Sequence, residues 1–186
     1  MEWIPELRIG WLNGWIPLGL LTFTDGILFL IFPKDVVTRL FDRSGWPKHQ
    51  ILLTVIGKLC ALVSLVLLIF SPLKIGTAVF VLGMLVMGLG LGGLIKALFD
   101  FKNTPPAEPV TRGIYKISRH PQIVMSTLVL LGGCIAIGSW LALIMLGVGR
   151  LLSHFGILGE EKICLQQYGD EYREYLEQVP RYFLFF

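Results

Sequence analysis

The chain has 186 residues, of which 54% are hydrophobic and only 16% charged, and its mean hydropathy is +0.71. A soluble domain of this size rarely carries so little charge, and the apolar residues lie in long blocks, so the bilayer is the natural solvent. The net charge of +3 is small and the basic residues sit in loops beside those blocks, which argues against a nucleic-acid partner.

The N-terminus carries Glu2 and Glu6 and lacks a basic n-region, so no cleavable signal is expected. A first span is predicted over residues 12–32, about the 20 residues a helix needs to cross the hydrocarbon. It contains Asp25, an acid that must face the bundle interior or the interface, with Lys58 as one structural partner. Residues 33–50 form a polar connector with Lys34, Arg39, Arg43 and Lys48. Its apolar residues recur at helical spacing, as in a helix lying on the membrane. Spans two and three are predicted over residues 51–70 and 75–98.

Within the third span, Gly88-Leu-Gly-Leu-Gly-Gly93 matches G-x-G-x-x-G but lies inside an apolar helix, so dinucleotide binding is rejected. Gly88 and Gly92 are expected to give a small-xxx-small packing face instead. A proline-bearing loop over residues 100–116 leads to spans four and five, residues 121–138 and 140–158, joined by the tight turn Gly138-Ser139. Basic loops then give five spans with the N-terminus outside and the C-terminus cytoplasmic. The tail from Glu160 onward carries Leu165, Tyr168, Tyr172, Leu176 and Val179 as an amphipathic helical stripe on the membrane surface, broken at Gly169 with Asp170 as a cap. Cys60, Cys134 and Cys164 show no metal-ligand spacing and read as unpaired. The fold class is all-α and polytopic, with residues 1–99 holding helices one to three and residues 100–186 the chemistry.

The chemistry is sought where polar residues meet. Ser118, Arg119 and His120 stand immediately before Pro121, a residue suited to the first helical position. A helix's first amides lack intrahelical acceptors, so this corner offers an anion site, although basic residues near helix ends also serve as plain interfacial anchors. The α-helical hairpin returns Glu160-Glu161 to the same end. Arg150, His154 and Glu161 fall on one face of the fifth span. Arg150 at membrane depth either holds an anionic substrate group or pairs structurally with Asp25 or a carbonyl. No Ser/His/Asp, Cys/His, H-E-x-x-H or D-x-D pattern is present. Two cations and two carboxylates suit a zwitterionic cofactor, and methyl transfer from a sulfonium needs only orientation, desolvation and charge complementarity.

Gly113-Ile-Tyr115, Arg119-His-Pro121, Glu160-Glu161 and Tyr168-Gly-Asp-Glu-Tyr172 with Tyr175 resemble the C-terminal signature of the isoprenylcysteine carboxyl methyltransferases and phospholipid N-methyltransferases. The resemblance covers roughly the last 80 residues. It implies S-adenosylmethionine held by Tyr115, Arg119, His120, Pro121, Glu160 and Glu161; the shared face of the fifth span makes Arg150, His154 and Glu161 the catalytic candidates. A lipid-like or prenylated substrate would enter from the bilayer. The family's aromatic residue two places after the proline is here Ile123, and its following glycine is Met125, so the substrate wall departs from the pattern. A prenylcysteine carboxylate would need a cation such as Arg150. A phospholipid amine would need a base such as His120, His154 or a glutamate. The alternative is a non-catalytic or haem-binding membrane protein, for which His49, His120 and His154 are the available iron ligands.

Overall fold

A computed structural model describes residues 1–41 and 48–183, with only the backbone described for residues 48–50; the expectations for Arg43, Lys48 and the His49 side chain lie outside it. Among the described residues there are seven α-helices and no strand. They are α1 (Trp15–Ile31), α2 (Lys34–Phe41), α3 (Lys48–Phe70), α4 (Ala78–Lys102), α5 (Pro121–Ala136), α6 (Trp140–Tyr168) and α7 (Asp170–Gln178), with a 3-10 turn at Gly113–Lys116.

Local chemistry sets the boundaries. The Thr77 hydroxyl accepts from the Phe80 amide at 3.2 Å and starts α4; Ser139 does the same for Ala142 at 3.1 Å and starts α6. Phe32, which precedes Pro33, adopts an extended ψ of 145° and closes α1. The five apolar segments expected from the sequence are all helical. The Ile51–Phe70 part of α3, all of α4 and all of α6 are long and apolar enough to cross a membrane, whereas α1 and α5 are shorter. The start of α1 is displaced from residue 12 because residues 11–14 turn. Buried Asn13 donates to the carbonyls of Arg8 (2.6 Å) and Ile69 (3.3 Å).

The two ends of the bundle differ in character. At one end the N-terminal segment wraps the helix turns: Glu2 N donates to Gly138 O (2.7 Å), while Trp140 N and Leu141 N donate to the carbonyls of Glu2 and Trp3 (2.9 and 3.1 Å). Trp3, Trp11, Trp15 and Trp140 are exposed there, as in an interfacial aromatic belt. The other end gathers α2, the C-terminus of α4, the start of α5 and the end of α6, and it carries most of the polar side chains.

Two glycine crossings hold the bundle. A Cβ on Gly57 of α3 would lie 2.7 Å from Gly149 O of α6, and one on Gly149 would lie 2.8 Å from Gly57 O. On the α4–α5 seam, a Cβ on Gly83 would lie 2.6 Å from Gly132 O, and one on Gly90 2.6 Å from Val129 N. Such close backbone approach is the membrane substitute for a hydrophobic driving force between helices. Ser64 adds a hydrogen bond across α3–α6 to Ala142 O.

Four expectations are corrected. Gly88 and Gly92 are exposed with nothing within 4 Å of a built Cβ, so they pack against no helix; the packing face runs through Gly83, Gly90 and Gly93 instead. Second, the helical segment after residue 158 is not a separate surface piece but continues the axis of α6. Residues 159–168 contain no proline and only one glycine, and the helix runs for about 43 Å to Tyr168, well beyond the roughly 30 Å hydrocarbon. Third, Asp170 is the first residue of α7 and not its cap; Gly169, at φ +60°, makes the break. Fourth, Tyr172 and Val179, expected to face the membrane surface, are buried in the protein with Tyr175 against Cys164, Leu165, Tyr168 and Leu176.

Candidate functional site

Three stretches remote in sequence meet at the polar end: the corner before α5, the last third of α6, and the chain after α7. The corner is prepared by Asp100, whose carboxylate accepts from the Ile114 amide at 2.9 Å. Gly113 makes this approach possible, because its φ is +60° and a Cβ there would collide with the Asp100 carboxylate. The chain then enters the 3-10 turn, Tyr115 is buried, and Tyr175 donates to Tyr115 O at 2.7 Å. Burial holds the Tyr115, Tyr172 and Tyr175 phenols far above their ordinary range, so all three remain neutral donors.

The chain after α7 folds back as a strap. Arg119 N donates to Pro180 O (3.0 Å), and Ser118 Oγ donates to Arg181 O (2.8 Å). This places the Arg181 side chain on Glu161, with Nε donating to Oε1 (3.0 Å) and Nη2 to Oε2 (2.7 Å), a two-point fork on one carboxylate. His120 Nε2 lies 3.2 Å and Arg119 Nη1 3.4 Å from Glu161 Oε1. Arg119, His120 and Glu161 are each only 7% exposed. One buried carboxylate is therefore ringed by two guanidinium groups and an imidazole. The partnership with Glu161 holds the Arg181 guanidinium above its ordinary range.

The surplus positive charge makes this corner a receptor for an anion, and Arg119 Nε is buried without a hydrogen-bond partner. Glu160, next to Glu161 but exposed, puts a second carboxylate at the rim. An anionic and a cationic group on one small ligand would find complementary partners here, so the residues present fit a zwitterionic cofactor.

Arg150 and His154 lie deeper on α6 and make separate contacts. Arg150 Nη2 donates to Ser126 Oγ of α5 across a long 3.4 Å, and its Nε is buried without a partner. It forms no bond with Asp25, whose buried Oδ1 has no hydrogen-bond partner. His154 Nδ1 lies 2.8 Å from Tyr182 Oη. Burial pushes the Tyr182 phenol up to about 12, so it stays protonated at neutral pH. The strap thus contributes Arg181 to the carboxylate and Tyr182 to the imidazole.

The sequence reading brings Arg119, His120 and Glu161 together in agreement with the structure, leaves Glu160 at the rim, and does not foresee Arg181 or Tyr182 as site residues. Only Pro180 hinted at them: a proline ending a helical tail forces an extended segment, but its direction depends on the buried tyrosines of α7. Residues 54–171, more than half of the chain, match the family model described as phospholipid methyltransferase. No curated protein matches the chain.

Proposed function

The chain belongs to the phospholipid methyltransferase family, an assignment that makes it a membrane methyltransferase of lipid-like substrates. On that premise we propose that it uses S-adenosylmethionine to methylate the amine of a phospholipid headgroup. The observation that carries the reading is the Glu161 cluster, one buried carboxylate with two guanidinium groups around it. Arg119 and His120 would hold the cofactor's carboxylate, with Tyr115 and Pro121 shaping the corner. Glu160 would face its ammonium group, and Glu161 would keep the two guanidinium groups and the imidazole in place. The cofactor supplies an already activated methyl group on a sulfonium.

The chain's own work is then orientation, exclusion of water and proton removal. A headgroup amine is protonated at neutral pH and must lose its proton before its lone pair can attack carbon. His154 is the base assigned to that task. The tautomer that donates Nδ1–H to Tyr182 Oη leaves the Nε2 lone pair free to take the proton. Arg150, about 16 Å along α6 from Glu161, would place an anionic group of the substrate. The chemistry is assigned to residues 100–186, and residues 1–99 provide the scaffold against which α5 and α6 pack. Lys102, Lys116 and Arg173 near the site end support placing that end in the cytoplasm and the N-terminus outside.

The experiment is methyl transfer from radiolabelled S-adenosylmethionine into a total lipid extract by the purified protein, with identification of the labelled product. Label in a phospholipid amine is the expected result. Label in a carboxyl ester would replace the acceptor assigned here, and no label in any lipid would overturn the reading.

A further inference from the structure

A second polar site lies at the same end of the bundle, away from the Glu161 cluster. Between α2, the C-terminus of α4 and the end of α6 is a cleft of about 730 Å³, within the size range of ligand pockets. Its wall includes Asp35, Thr38, Arg39, Lys102, Thr104 and Gln167. Arg39 anchors it. Its Nη2 donates to the carbonyls of Phe101 (2.9 Å) and Thr104 (3.2 Å), and its guanidinium carbon lies 4.3 Å from the centre of the Phe101 ring. These contacts fix the guanidinium plane, yet Nε and Nη1 are buried without hydrogen-bond partners. Buried donors of this kind are costly unless something accepts from them. Lys102, the other cation in the wall, forms no ion pair among the described residues; its ammonium lies 5.3 Å from the Phe32 ring centre and 5.6 Å from that of Phe99.

A fixed guanidinium with two free donors beside a lysine suits a tetrahedral oxyanion, above all phosphate. The cleft opens beside α2, a short helix whose one buried residue, Val36, faces the core while Lys34, Asp35 and Thr38 face outward. Such a helix sits at the membrane surface, where headgroups are found. Asp35, exposed on the rim, forms no ion pair among the described residues and offers a carboxylate to a headgroup ammonium.

We propose that this cleft is a second phosphate-binding site, for the headgroup of a zwitterionic phospholipid other than the molecule whose anionic group Arg150 would place, with Arg39 as its principal ligand and Lys102 as its second. The assignment of phosphate rests on the cleft's own residues; the choice of a lipid over free phosphate rests on the proposed function. S-adenosylmethionine carries no phosphate, so the two sites separate by ligand chemistry.

The test is calorimetric titration of the purified full-length protein in uncharged detergent with dihexanoyl phosphatidylethanolamine. Parallel titrations use dihexanoylglycerol, inorganic phosphate and S-adenosylmethionine. Arg39→Gln is expected to raise the phospholipid Kd roughly tenfold to a hundredfold, the effect of losing hydrogen bonds to a charged group. Because Arg39 also ties down two carbonyls, Lys102→Gln serves as the variant that leaves those bonds intact; it should weaken phospholipid binding by roughly twofold to fivefold. Both variants should bind S-adenosylmethionine as the parent does. Wild-type phospholipid affinity in both variants would overturn the site, as would equal binding of dihexanoylglycerol. Inorganic phosphate binding as tightly as the lipid, with the same dependence on Arg39, would overturn the lipid assignment. Displacement of the phospholipid by S-adenosylmethionine would make the cleft the cofactor's and sink the proposal. Arg39-dependent lipid binding in a protein that transfers no methyl group would leave this site standing while the methyl-transfer reading fell.

Discussion

Replacing Glu161 by glutamine changes almost nothing in shape but removes the only negative charge inside a ring of Arg119, His120 and Arg181. The Glu161 and Arg119 side chains are 8% and 5% exposed and that of Arg181 19%, so water can repair little of the loss. Breaking a buried pair by removing one partner costs about 3–5 kcal/mol, and here two guanidinium groups lose their counterion together. For a chain of this length each kcal/mol is worth roughly 2–4 °C in Tm, so Glu161→Gln should melt roughly 6–20 °C lower in detergent. Cys134, 1% exposed in the helix core, gives the assay, because a thiol-reactive fluorophore reaches it only on unfolding. The substitution should also release the Arg181 strap and weaken S-adenosylmethionine binding. Adding Arg181→Gln to Glu161→Gln should recover part of the lost stability, since one uncompensated cation disappears. A single mutant that melts with the parent, or a double mutant as unstable as the sum of the two singles, would refute the view that this carboxylate organises the site.

Further outcomes follow from the geometry. Gly149→Ala should lower Tm through overpacking of about 1–3 kcal/mol against Gly57 O, whereas Gly88→Ala and Gly92→Ala, with open space at both positions, should be neutral or slightly stabilising in the same melt. Arg150→Gln should spare cofactor affinity and Tm, since it breaks only a 3.4 Å contact with Ser126, while methyl transfer falls at least about tenfold in an initial-rate assay. His154→Gln should slow methyl transfer roughly a hundredfold or more without weakening cofactor binding in calorimetry. In the parent the rate should fall as pH drops, because below its pKa the imidazole is already protonated and cannot accept a proton; Tyr182→Phe should lower the plateau of that pH–rate profile. Cysteines placed at Pro106 and Gln178 should resist an impermeant thiol reagent in intact cells, and labelling of either from outside would reverse the proposed orientation.

The helices were legible because apolar blocks of bilayer length, prolines and capping hydroxyls are local signals, and Thr77, Ser139 and Pro121 mark three starts without tertiary information. The meeting of Arg119 and His120 with Glu161 was legible because a hairpin with a tight turn must return to its own level. The face on which α4 packs was not. Gly88 and Gly92 satisfy a spacing rule, but the neighbour lies toward Met87, Gly90, Leu94 and Ala97, and an apolar helix in lipid shows no polar face to reveal that. The direction of the chain after residue 158 was also misjudged. Glu160-Glu161 resembles the edge of a span, whereas the helix continues because nothing before Gly169 stops it. Arg181 was invisible in another way: a basic residue in a tail looks like a topology charge until the buried tyrosines of α7 turn the strap inward.

The wrapping of residues 1–3 around the α5–α6 turn orders the molecule's assembly. Glu2 and Trp3, made before any of the helices, provide the carbonyls that accept from Trp140 and Leu141, so this end cannot close until the last hairpin exists. α3 is in the same position, since its glycine crossing is with α6 and not with the helices that follow it in sequence. α4 and α5 can join as soon as both are inserted, while α3 waits in the lipid with Gly57 and Ser64 unpaired. A chain interrupted before Trp140 would therefore keep a groove of bare backbone and a free N-terminal arm. Those two features would distinguish an unfinished molecule from a finished one to the machinery that clears membranes of incomplete proteins.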